Sequence, residues 1–141
     1  MKKFVFELQD ILDIRKFEQQ QAELELAKAL AEENRIQNEL NAIAAKKVSV
    51  SKNMKGNIDF ADIVNAQNFY ELLRTRSESL LEDLTKAKMV AAEKRNILKK
   101  AMQKTDALQQ LKDSQYEEYK ADAKRAEMKE INDIVASRFN T

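Results

Sequence analysis

The chain has 141 residues, of which 35% are charged, yet the charges cancel to a formal +1 at pH 7. It holds one glycine and no proline, cysteine, tryptophan or histidine. A sandwich or doubly wound sheet needs turn residues that are missing here, so the composition points to an all-α protein. Without His or Cys the commonest metal and acid–base side chains are absent, and one glycine cannot build a phosphate-cradling loop.

The chain opens Met1-Lys2-Lys3-Phe4-Val5-Phe6, which resembles the start of a signal peptide until Glu7 and Asp10 interrupt it. Apolar runs never reach the roughly 20 residues that span a bilayer. The expectation is therefore a cytoplasmic chain. A first helix is predicted over about residues 4–52. Its inward set is Leu8, Leu12, Arg15, Gln19, Ala22, Leu26, Ala29, Glu33, Ile36, Leu40 and Ile43, a two-in-seven seam interrupted by charge. Phe6, Phe17 and Leu24 of this helix lie at nearly the same angle, roughly opposite the seam, and are expected to form an exposed stripe unless something covers it. The Val48-Ser49-Val50-Ser51 run lowers helix preference, so the end is expected to fray before Gly56.

The turn is placed at 53–59. Gly56-Asn57 is where the backbone can take positive φ at least cost. Asp59 is positioned to accept from the first free amides of the next helix, and Asp62 adds favourable charge to its first turn. The second helix is predicted over about 60–138, with the seam Ile63, Ala66, Tyr70, Leu73, Ser77, Leu80, Leu84, Ala87, Ala91, Lys94, Leu98, Ala101, Thr105 and Leu108. Reversal at Gly56 gives an antiparallel coiled-coil hairpin, expected as a single domain over 1–141, with Leu40 facing Leu73, Ala29 facing Leu84 and Leu12 facing Ala101. A basic band from Lys86 to Lys104 then lies opposite Asp10, Asp13, Glu18, Glu23 and Glu25. Such exposed pairs select orientation more than they stabilise. In this register, residues after about 108 have no partner. The overhang carries Leu111, Tyr116, Tyr119, Met128, Ile131, Ile134, Val135 and Phe139 on more than one face.

The two ends of the chain carry a resemblance. Phe4-Val5-Phe6-Glu7-Leu8-Gln9-Asp10-Ile11-Leu12-Asp13-Ile14-Arg15 resembles the opening of the FliJ family of flagellar export proteins, an aromatic-x-aromatic-x-Leu start leading to Leu-x-x-Arg. Ala107-Leu108-Gln109-Gln110-Leu111, Gln115-Tyr116-Glu117-Glu118-Tyr119, Lys124-Arg125 and Lys129-Glu130-Ile131-Asn132-Asp133-Ile134 are similar to that family's C-terminal pattern. The resemblance implies a non-enzymatic, cofactor-free stalk of the type III export apparatus, like the central stalk of rotary ATPases. Implied partners are the hexameric export ATPase, an export-gate membrane protein and substrate–chaperone complexes, at the cytoplasmic face of the inner membrane. The end holding both termini is expected to enter the ATPase ring through Phe6, Phe17, Leu24, Leu111, Tyr116, Tyr119, Lys124 and Arg125. Phe69 and Leu73 match gate-contact positions of the family, with Leu40 and Ile43 standing where the family has tyrosines on the first helix.

A thin two-helix core nearly cancels against ordering entropy, so the isolated monomer is expected to be marginally stable with fraying ends. The sequence also admits the equivalent stalk of a virulence secretion apparatus, or a self-associating structural coiled coil. Nucleic-acid binding is disfavoured, because the basic band has acidic partners and acids surround Tyr116 and Tyr119.

Overall fold

The computed structural model describes residues 2–56 and 58–139. Two helices make up the fold: α1, Gln9–Asn53, and α2, Phe60–Phe139. Residues of low helix cost fill both, and neither contains a proline. The chain divides into two compact units, a hairpin unit of residues 21–98 and a terminal unit of residues 1–20 and 99–141.

In the hairpin unit the reversal lies where the glycine stands. Gly56 has φ +119, and a Cβ there would meet nothing within 4 Å. Asn57, assigned to the turn with it, lies outside the described residues. The Val48–Ser51 run does not fray as expected. Helix α1 continues to Asn53 and closes with Met54 N–H donating to the Val50 carbonyl at 3.2 Å. A valine costs a helix only a few tenths of a kcal/mol, too little to end it alone. At the start of α2 the cap is the reverse of the expected one. The Asp59 amide donates to Asp62 Oδ2 at 3.1 Å, the returning half of a capping box.

The core of this unit is Ile36, Ile43, Leu73, Leu80, Leu84 and Ala87, with Leu40 and Phe69 packed against it. Ala22, Ala29, Ala66 and Ala91 are also buried, and these small side chains allow close approach of the helix backbones. All of these positions except Phe69 belong to the predicted seams. Ile63 is the exception in the other direction, being 44% exposed. The register supplies the reason. Tyr70 Oη donates to the Lys47 carbonyl at 3.5 Å, and Lys94 pairs with Glu25 at 4.0 Å. Both partners lie about one turn or more further along α2 than a symmetric bend would place them. The first turn of α2 therefore lies against the very end of α1, where Asp62 and Ala66 share an open groove with Val50, Asn53 and Met54 and Ile63 is left partly uncovered.

In the terminal unit α1 begins at Gln9, not Phe4. Residues 2–6 are not helical, and the Gln9 amide donates back to the Phe6 carbonyl at 3.1 Å. Phe6 therefore does not share the outer angle of Phe17, and it is 5% exposed instead of forming part of an exposed stripe. The aromatic–apolar–aromatic alternation of Phe4-Val5-Phe6 fits an extended strap, placing Phe4 and Phe6 on one side and leaving Val5 exposed. Leu12 is fully buried. Beside it in the seam, buried Thr105 shares its hydroxyl between the Ala101 carbonyl at 3.1 Å and the Arg15 carbonyl at 3.2 Å, so no polar atom is stranded there.

Candidate functional site

In the terminal unit the strap covers part of α2 that was expected to overhang. Phe4 meets Tyr116 edge-on at 5.2 Å and Tyr119 at 5.5 Å, and the two tyrosine rings lie 6.3 Å apart. Tyr119 Oη donates to the Lys2 carbonyl at 2.5 Å. Lys120 lies 5.1 Å from the centre of the Tyr116 ring and pairs with Glu117 at 3.0 Å, which raises its pKa. The unpartnered length of α2 therefore begins well after residue 108, and residues 124–139 are exposed throughout.

Among the residues assigned to an ATPase contact, this geometry separates three kinds. Phe6 is buried inside the unit, and Tyr119 is half-buried by the strap. Their apolar surface is already spent on the chain itself. Phe17, Leu111 and Tyr116 keep exposed apolar surface, and Lys124 and Arg125 are exposed, with Arg125 paired to Asp122 at 3.2 Å. Leu24 is also exposed but belongs to the hairpin unit. Sequence inspection missed Ile14, exposed three residues before Phe17 on the same face of α1. The spacing was the available signal.

Beyond the strap, Met128, Ile131, Ile134, Val135 and Phe139 all stand exposed on a single helix. Ala121, Lys124, Arg125, Met128, Lys129 and Asn132 border an open depression of about 520 Å³ there. Isolated helix of this kind has no second wall, so it offers an apolar ridge to a partner and no enclosed site.

Of the four residues assigned to the gate contact, Ile43 and Leu73 are each 6% exposed and are core residues of the hairpin unit. Both pack across the seam, so the surface that either can offer a partner is small. Leu40 is half-buried against the same core. Phe69 lies at the edge, on an open groove of about 470 Å³ that Ile43 and Leu73 also line, together with Glu39, Ala42, Lys46, Leu72 and Arg76. Leu72, three residues from Phe69, is 65% exposed and is the larger apolar surface available there. The groove's rim is fixed electrostatically. Glu39 accepts from Arg35 at 2.6 Å and from Arg76 across the hairpin at 3.0 Å. Arg35 also binds Glu32 at 2.6 Å, which holds the Glu32 carboxyl below the usual range and raises the Arg35 pKa.

No group of three or more metal-ligating side chains occurs among the described residues, and no helix among them is long and apolar enough to cross a membrane. Residues 4–141 match the family model described as Flagellar FliJ protein. No curated protein and no solved structure matches the chain.

Proposed function

We propose a function from one premise: the chain belongs to the FliJ family of flagellar, export-related proteins. On that premise it acts as a non-enzymatic stalk whose terminal unit inserts in the hexameric export ATPase and promotes its assembly and turnover. The hairpin unit would reach the export gate, and substrate–chaperone complexes would be handed on along the way. The matched family is the flagellar one, which favours a flagellar over a virulence apparatus.

One observation carries this reading. The terminal unit closes on itself with an aromatic strap and still leaves Ile14, Phe17 and the ridge from Met128 to Phe139 exposed. A surface of that size on a helix with no second wall is stabilised by being enclosed, and the lumen of a ring would enclose it. Burying a side chain such as Ile131 or Phe17 contributes about 1.5–3 kcal/mol when complete, so a few of them suffice for assembly. For the gate, the open groove supports contact, with Phe69 and Leu72 offering more surface than Ile43 and Leu73, which also line it.

The test is capture of the cognate export ATPase by the full chain, with turnover measured in parallel. Ile14→Ser with Phe17→Ser, or Ile131→Ser with Val135→Ser, should cut both capture and stimulation about tenfold or more while helicity is kept. Undiminished capture by both variants would remove the terminal unit from the contact. Phe69→Ser with Leu72→Ser should spare ATPase capture and weaken gate capture.

A further inference from the structure

From the charge and exposure of the hairpin turn, we infer that this end of the hairpin unit is a peripheral binding site for an anionic phospholipid surface. Residues 40–58 are the longest stretch of the chain without an acid, and they hold Lys46, Lys47, Lys52 and Lys55. The other long acid-free run, residues 94–105, carries Lys94, Arg95, Lys99, Lys100 and Lys104, and there Lys94 is paired with Glu25 at 4.0 Å. Lys52 and Lys55 flank the turn, and Lys47 stands about 8 Å further back along α1, within a Debye length at physiological salt.

The second signal is apolar. Phe60, the first residue of α2, is 81% exposed, and Ile58, Ile63 and Val64 are exposed beside it. Ile58 borders an open groove of about 410 Å³ with Val50, Asn53, Met54 and Asp62, while Phe60 stands out beside it at the turn. A flat bilayer interface can accept such side chains one by one, whereas an acidic protein would need a concavity fitted around them. Exposed aromatic and aliphatic side chains with flanking lysines supply the two contributions that reversible membrane attachment needs, insertion and attraction to anionic headgroups. The lysine stems can lie along the apolar surface while their ammonium groups reach the phosphates.

Two acids stand at the same place, Asp59 and Asp62. The Asp62 carboxylate accepts from the Asp59 amide, and both lie at the positive end of the α2 dipole, so they oppose an anionic surface less than free carboxylates would. The space beside Gly56 is open, since a Cβ there would meet nothing within 4 Å.

Flotation of the purified full chain with vesicles tests this directly, with no protein partner present, so the result is independent of the stalk reading. Vesicles of phosphatidylglycerol in phosphatidylcholine should carry the chain at about 0.1 M salt, and binding should fall steeply at 0.5 M. Phosphatidylcholine alone should carry little. Lys52→Gln with Lys55→Gln should lower the partition about tenfold, and Phe60→Ser several-fold, with helicity unchanged for both. Ile131→Ser with Val135→Ser, at the far end of α2, should leave it unchanged. Failure to float with anionic vesicles would overturn the inference, as would flotation that survives both turn variants. Loss of binding to an acidic protein in the lysine variant, without any vesicle binding, would assign the turn to a protein partner and likewise overturn it.

Discussion

In residues 21–98 the buried set includes Ile36, Ile43, Leu73, Leu80 and Leu84 with Ala22, Ala29, Ala66, Ala87 and Ala91, and the unit is held by packing along its length. Among the described residues of 1–20 and 99–141 the buried side chains are Phe6, Leu12 and Thr105, and closure comes from Phe4 of a non-helical strap meeting two rings of α2. The same two helices run through both units. The difference follows the density of aliphatic layers, since the hairpin unit buries five of them despite Glu33, Ser77 and Lys94 in its seam. In the terminal unit Arg15, Gln19 and Thr105 occupy seam positions, and aromatic contacts from outside the heptad supplement it. The unit closed this way is also the one that keeps an exposed apolar ridge, which suits a region completed by a partner.

The contrast is tested most strongly at Leu80, 1% exposed in the hairpin unit. Leu80→Ala should cost about 3 kcal/mol in urea unfolding of the full chain, since it leaves a cavity between two packed helices. A cost below about 1 kcal/mol would mean the hairpin relaxes like the terminal unit. Phe4→Ala should cost about 1–2 kcal/mol, and only locally, by removing the rings' contacts. Hydrogen exchange should quicken around Tyr116 and Tyr119 while the amides near Leu80 keep their protection. Equal loss in both units would make the strap part of one cooperative core.

Gly56→Ala should cost about 1–2 kcal/mol through backbone strain alone, because the site at φ +119 has room for a Cβ. A neutral result in thermal unfolding would mean the turn re-forms in another conformation without penalty. The smallest effect is electrostatic. The Arg35 guanidinium lowers the Glu32 pKa, so the stabilisation is present above the ordinary carboxylate range and is lost as pH falls through the lowered folded value. Both groups are in water and the loss of stability should be slight. In an NMR titration, Arg35→Gln should move the Glu32 midpoint upward; an unmoved midpoint would deny the pair a role.

Much of this was legible in the residues. Leu12, Ile36, Leu80 and Leu84 were placed inside because a seven-residue apolar repeat on good helix formers leaves one face to bury, and a lone glycine leaves one place to turn. Phe6 was misread because its direction was computed on a helix that had not yet begun. Ile43 and Leu73 pack in the seam and also border the groove at Phe69, a double placement that the heptad alone does not show.

Sequence alone determined the two helices, the site of reversal and the buried stripe, because each follows from local propensity and period. Tertiary structure decided the register, the strap and the exposed first turn of α2. Those depend on how far the loop carries the chain before α2 starts and on which rings meet across more than a hundred residues, distances that no local pattern encodes.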